Sequence, residues 1–214
     1  MVTLRFLITA GPTREPLDPV RFFSNPSSGR MGFALAEAAM AAGHVVCLIA
    51  GPTCLEPPSA HSVVRVTTAE EMREAVLSRL ADSHVLIMAA AVADYRPETF
   101  SPAKIKKAGG RLTVTLECTR DILVEAAHTK EHRVHVGFAA ETQNLIENAR
   151  VKLEAKSLDL LVANDITEEG SGFEVETNRA TLLWRDGSME ALPQMTKEKL
   201  AEHIIKAVVG YYGG

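Results

Sequence analysis

Residues 27–32 read Ser-Ser-Gly-Arg-Met-Gly, at the point where the chain enters an alanine-rich helical pattern. Two hydroxyls, a glycine free to take positive φ and backbone N–H groups without helical partners make a cradle for an anion. Ser28 acting only as the helix N-cap is an equal alternative. A helix terminus contributes about 0.3–1 kcal/mol toward an anion, and up to about 2 when partly buried. That is too little for a polyphosphate, so cationic side chains must join it. Asp94 follows an apolar run, and Lys104-Ile105-Lys106-Lys107 comes next, ahead of Gly109-Gly110. A carboxylate at a strand exit can hold a metal ion bridging phosphates, bond a substrate hydroxyl, or simply cap a helix. The lysines can close over a polyphosphate as a lid, although a solvated charge run is the commoner fate of such a segment.

Three further groups carry weaker signals. Gly137-Phe138-Ala139-Ala140-Glu141-Thr142 offers small residues with accessible backbone and one ring, as a planar base requires; a core Phe before a helix-opening Glu is the plain alternative. Ala163-Asn164-Asp165 reads as a turn. His128, His132 and His135 show helical spacing, but no carboxylate or cysteine completes a metal set. Cys47, Cys54 and Cys118 are odd in number and lack CxxC spacing, so reduced thiols filling small buried or half-buried spaces in a cytoplasmic protein are expected.

These residues need a frame that brings strand ends together. Residues 4–9 (LRFLIT), 44–50 (HVVCLIA), 63–66, 85–91, 134–136 and 158–162 read as strands. Residues 32–42, closed by Gly43, together with 68–80 and 144–155, read as helices between them. Thr68 and Glu71 have the spacing of a capping box. Residues 85–91 are the most apolar, as befits the middle of a parallel sheet covered on both faces. The alternation predicts an α/β fold, a Rossmann-like, doubly wound, mostly parallel sheet with right-handed crossovers. Ligands of such sheets sit beyond the carboxyl ends of the strands. After the first strand come about twenty residues without a clear element, and loops that long are usually functional. No G-x-G-x-x-G follows a strand, and no Walker A sequence occurs.

The later chain changes rhythm. Residues 111–117 (RLTVTLE) alternate as an exposed antiparallel strand or arm; 180–184 and 189–192 flank Asp186-Gly187 as a hairpin; 197–209 read as a last helix. No low-complexity linker interrupts, so residues 1–214 are expected to form a single domain. With 23 Lys+Arg against 27 Asp+Glu, the net charge of −4 supplies no basic field for non-specific nucleic-acid binding. The longest apolar run, residues 85–93, falls far short of the roughly 20 residues of a membrane helix. Arg5 interrupts the first apolar stretch and no small-residue cleavage site follows, so no secretory leader is expected.

ITAGPTREPLDPVRFFSNPSSGRMG, AAAVADYRP with KIKK, VGFAAET and DLLVANDI, in this order, resemble the phosphopantothenate–cysteine ligases of coenzyme A biosynthesis, of the bacterial CTP-dependent type. The resemblance runs over essentially the whole chain. It implies that 4′-phosphopantothenate attacks the α-phosphate of CTP, releasing pyrophosphate and leaving an acyl-cytidylate. The amine of L-cysteine then displaces CMP to form 4′-phosphopantothenoylcysteine. A divalent cation, usually Mg²⁺, accompanies the nucleotide, held through its phosphates near Asp94.

Carried over residue by residue, the resemblance implies that Asn25 contacts the acyl-nucleotide and supports its conversion by cysteine. Arg21 helps bind the phosphorylated substrate. Ser28 and Gly29 take nucleotide phosphate, Asp94 is the nucleotide-site aspartate, and Lys104 and Lys107 neutralise charge as pyrophosphate leaves. Ala90, Phe138 and Ala139 border the base. Members are homodimers, and the arm near residues 111–117 is the place to look for the second subunit. Many bacterial members also carry a flavin-dependent decarboxylase on the same chain, which the resemblance here assigns to a separate chain or to sequence outside this one.

Departures from the family pattern are few. Pro26 stands where His is common and Arg30 where Lys is; both leave anion binding intact. Cys118 replaces a polar residue before Asp121, which puts a lysine contact there in doubt. A nucleotide-binding regulatory module without catalysis is the alternative. A nicotinamide-dependent reductase lacks its glycine fingerprint here.

Overall fold

The structure, a computed structural model, describes residues 2–107, 109–141, 145–165 and 177–213. Thr142, Asn144 and Ile166 of the segments singled out above lie outside them. From the amino terminus, β1 (Arg5–Ala10) leads into a hairpin, β2 (Arg14–Pro16) and β3 (Phe22–Ser24), and then α1 (Arg30–Ala41). β4 (Val45–Ala50), β5 (Ser62–Arg65) and α2 (Ala69–Leu80) follow. After β6 (Val85–Met88) comes an excursion whose strands β7 (Tyr95–Pro97) and β8 (Leu116–Cys118) pair with each other. The chain continues through α3 (Ile122–Ala127), β9 (Val134–Glu141), α4 (Leu145–Ala155) and β10 (Leu160–Asp165). It ends with β11 (Thr177–Asn178), β12 (Ala180–Trp184), β13 (Met189–Ala191), β14 (Met195–Thr196) and α5 (Lys197–Gly213).

Among the described residues eight strands make the central sheet, in the order β13-β12-β10-β9-β6-β1-β4-β5. From β10 to β5 the neighbours run parallel; β12 and β13 add an antiparallel edge. Side chains alternate across the sheet. Phe6, Ile8 and Ala10 of β1 pack with Phe33 and Leu35 of α1 and Leu200 and Ile204 of α5. Leu7 faces the other way, toward Met72 and Val76 of α2 and Leu123 of α3. Burial on both faces is what makes these strands continuous apolar runs. α1 lies close against β1, because Gly32 has no side chain: a Cβ there would sit 2.5 Å from the Ala10 Cβ.

The α2 capping box forms as predicted, Thr68 accepting from the Glu71 N–H at 3.2 Å while Glu71 reaches back to Thr68. The Asp186-Gly187 hairpin also forms. Other elements differ from expectation. The long first loop contains the β2–β3 hairpin, held by the Glu15 carboxylate accepting from the Ala69 N–H at 2.8 Å. β6 stops at Met88, because the following alanines turn to bond the β1 exit, Ala91 N–H donating to the Gly11 carbonyl at 2.9 Å. Of the arm expected over 111–117, residues 116 and 117, continued by Cys118, are those that pair as a strand among the described residues. Asn164 is not in a turn: ladders to β9 and β12 on both sides keep it in β10. The last helix runs on to Gly213.

His128 ends α3, His132 is exposed and His135 is buried in β9, so the three diverge. Among the described residues no group of three His, Cys, Asp or Glu could hold a metal. The three cysteines are free, but Cys54 and Cys118 are exposed rather than buried fillers. Among the described residues no helix is long and apolar enough to cross a membrane.

Candidate functional site

The strand order reverses at β1. The chain moves outward through β4 and β5, then crosses back to β6 on the other side. α1, which follows β1, covers one face; α3, which follows β6, covers the other. The connections therefore part above the carboxyl ends of β1 and β6, opening a crevice. A cleft of about 530 Å³ lies there.

One wall is the start of α1. Gly29 is its N-cap, with φ 80°, and no side chain caps the helix, so Ser28 is not the N-cap. A Cβ at Gly29 would meet the Thr53 Cγ2 at 2.9 Å, and the left-handed backbone itself favours glycine. With no side chain capping them, the N–H groups of the first turn are open to an anion. A second wall is the β6 exit, stitched to the β1 exit by two threonines. Ala90 N–H donates to Thr9 Oγ1 at 3.1 Å and Ala93 N–H to Thr13 Oγ1 at 3.0 Å. The hairpin brings Asn25 to this edge, where its Nδ2 donates to the Val92 carbonyl at 3.1 Å. Opposite stand Phe138 and Ala139 from β9 and Asn164 from β10, whose buried Oδ1 has no partner among the described residues.

Charge distinguishes this cleft from the rest of the molecule. Arg30, Arg120, Lys152, Lys156 and Lys197 line it against two carboxylates, Asp94 and Asp121, in a chain of net charge −4. Lys197 is buried, 3% exposed. Burial first, and then the charge of Arg30, lowers its pKa, so its cationic form gains from an anion beside it. Asp121 is already engaged: it caps α3 through the Leu123 and Val124 N–H groups at 3.0 and 3.2 Å, and pairs with Lys156 at 2.9 Å. Asp94 is left as the cleft carboxylate without a partner among the described residues. One such carboxylate suits Mg²⁺ carried in by nucleotide phosphates, not a cation held in an all-protein cage.

Seven of the residues to which the resemblance gives a role meet in this cleft: Asn25, Ser28, Gly29, Ala90, Asp94, Phe138 and Ala139. Arg21, Lys104 and Lys107 do not line it. Arg21 pairs with Asp18 at 2.7 Å, and Lys104 and Lys107 are exposed on the β7–β8 excursion. The sequence reading missed Lys152, Lys156, Asn178 and Lys197, and took Asn164 for a turn residue. Lys152 and Lys156 had a legible signal in their i, i+4 spacing. Lys197 had a fainter one, a cation at a helix N-terminus where the dipole disfavours it.

Fold and cleft define a doubly wound α/β protein with a basic crevice at its topological switch point. The chain belongs to the family described as the DNA/pantothenate metabolism flavoprotein C-terminal domain, whose model matches residues 1–211. It is 48% identical over 203 residues to the coenzyme A biosynthesis bifunctional protein CoaBC of Bacillus subtilis (strain 168), covering 94% of this chain and 50% of that protein. The chain thus spans about half the length of the curated CoaBC relatives it matches. The crystal structure of the C-terminal domain of a CoaBC protein superposes with a TM-score of 0.84 at 41% identity, covering 97% of this chain and 95% of that one. The DNA/pantothenate metabolism flavoprotein from Streptococcus pneumoniae superposes at 0.85 with 26% identity, covering 98% of this chain and 100% of that one.

Proposed function

We propose that this chain is a CTP-dependent phosphopantothenate–cysteine ligase acting in coenzyme A biosynthesis. The observation that carries the reading is the cleft: net basic in an acidic chain of this family, with the uncapped start of α1 on one side and the Asn25 amide on the other. A nucleotide phosphate on the α1 N-terminus would leave its base toward Phe138 and Ala139 and its α-phosphate within reach of a carboxylate at Asn25. Mg²⁺, bound through the phosphates with Asp94, would withdraw charge from them.

In the first step the carboxylate oxygen of 4′-phosphopantothenate bonds to the α-phosphorus of CTP, and the bond to the bridging oxygen breaks to release pyrophosphate. The basic side chains hold the leaving charge, and Lys104 and Lys107 must close over it from outside the cleft. In the second step the amine nitrogen of L-cysteine, having shed its ammonium proton to solvent, bonds to the acyl carbon. CMP leaves and a second proton is lost from nitrogen. Asn25, fixed by Val92, steadies the acyl group while its oxygen gains charge. The exposed β7–β8 arm fits a homodimer contact, and a flavin-dependent decarboxylase is the expected partner activity, in a cytoplasmic setting.

Release of pyrophosphate, measured with 4′-phosphopantothenate and cysteine and each of CTP, ATP, UTP and GTP, tests the reading. Release with CTP that requires phosphopantothenate supports it; release with ATP keeps the reaction and overturns the base. The second reading, a nucleotide-binding module without catalysis, is favoured by one observation, the position of Lys104 and Lys107 outside the cleft. Lys104→Gln separates the two: the ligase loses turnover and keeps its fold, whereas a binding module loses nothing.

A further inference from the structure

One buried carboxylate of the first loop has no part in the chemistry above. Asp18, at the tip of the β2–β3 hairpin, has no exposed side-chain surface. Its Oδ1 accepts from the Val20 and Arg21 N–H groups, each at 2.8 Å, which closes the tip into a turn. Its Oδ2 accepts from the Ile105 N–H at 3.1 Å and pairs with the Arg21 Nη2 at 2.7 Å. The same Nη2 donates to the Ile105 carbonyl. Both polar groups of residue 105 are therefore gripped by one ion pair, between Lys104 and Lys106. Ser101 N–H adds a bond to the Leu17 carbonyl at 3.0 Å, so the lysine-bearing segment hangs from the hairpin tip.

The far end of that hairpin carries Asn25 into the cleft. Burial would raise the Asp18 carboxyl, but the three backbone donors and the Arg21 charge outweigh it and hold its pKa at about 2. The clasp is thus charged at every working pH. The other nitrogens of Arg21 have no partner among the described residues, and its side chain is 41% exposed. They are placed to receive an anion without breaking the grip on Ile105.

We propose that Asp18 is a positioning residue: through its pair with Arg21 it fixes the Lys104 segment to the hairpin that carries Asn25, so that a phosphate monoester arriving on Arg21 tightens the lysine segment. The phosphate class, and the link to turnover, rest on the ligase reading above; the clasp itself does not.

Trypsin reads the clasp without activity, because Lys104, Lys106 and Lys107 are its own cleavage sites and native-state cutting tracks local opening. Asp18→Asn keeps an acceptor for the turn but turns an amide donor or a neutral oxygen toward Ile105 and Arg21. Cleavage within 104–107 should then rise about tenfold or more. Arg21→Leu should give a similar rise, and the double variant no more than either alone, as members of one unit behave. In the wild type, 4′-phosphopantothenate should slow cleavage at this segment and CTP alone should not. In turnover, Asp18→Asn should raise the KM for phosphopantothenate and lower kcat while leaving the KM for CTP within about twofold.

Unchanged cleavage in folded Asp18→Asn, or additive effects in the double variant, overturns the clasp. If Asp18→Asn does not fold, Arg21→Leu together with wild-type protection decides the matter alone. Faster cleavage in a protein that shows no ligase turnover leaves the clasp standing and sinks the ligase reading instead. Protection by inorganic phosphate equal to that by phosphopantothenate overturns the monoester assignment.

Discussion

Acidification should weaken this fold through His135. Its ring is fully buried near the start of β9, and neither ring nitrogen has a partner among the described residues. Burial first, and then the charge of Lys130, holds its pKa at about 4 against an ordinary 6.5, with Asp159 opposing. The native state refuses a proton that the unfolded chain takes up between those two values. Stability from this group is complete above about pH 6.5 and drains away as pH falls toward 4. Linkage puts the loss at about 2 kcal/mol by pH 5 and about 3 kcal/mol by pH 4. His44, lowered by burial, and His84, lowered by burial and then Arg5, add to the slope in the same direction, so the share of His135 must be isolated by difference. Urea unfolding of wild type and His135→Leu, followed by far-UV circular dichroism at about pH 7.5 and pH 5, does so. The variant should lose about 2 kcal/mol less than wild type over that interval. Parallel pH profiles for the two proteins would refute the reasoning, since they would mean that the ring is either hydrated or already charged in the native state.

Three other outcomes follow from the cleft and its supports. Asn25→Asp places a carboxylate against the Val92 carbonyl and beside an anionic substrate; acyl-cytidylate should accumulate and product formation drop about 100-fold or more, and normal product formation by mass spectrometry removes Asn25 from the second step. Gly32→Ala drives a methyl to 2.5 Å from the Ala10 Cβ and 2.8 Å from its Cα, so α1 must lift from β1 at a cost of about 1–3 kcal/mol; an unshifted urea midpoint would show slack that the packing does not have. Lys197→Met removes a buried cation from the cleft. Pyrophosphate and CTP binding, read by titration calorimetry, should weaken about tenfold. Unaltered affinity would remove Lys197 from the anion site.

The strands, the capping box at Thr68 and Glu71, the Asp186-Gly187 hairpin and the glycine-rich opening of α1 were legible in the sequence, because each depends on residues a few positions apart. Periodicity, capping and turn chemistry are local, and a sheet buried on both faces writes them as continuous apolar runs. Motif resemblance carried the cleft residues from Asn25 to Ala139 for the same reason, since each stands at a strand exit or a helix start. Asn164 defied its turn propensity because two neighbouring strands supplied its backbone bonds, which no local window reveals. Lys152 and Lys156, from the end of α4, and Lys197, from the start of α5, reach one cleft because the strand order reverses at β1. Tertiary structure likewise decided that Lys104 and Lys107 stand outside the cleft, tied through residue 105 to Asp18, a partner distant in sequence. Sequence wrote the elements and most of the chemistry; the crossing order of the strands decided which charges share a space.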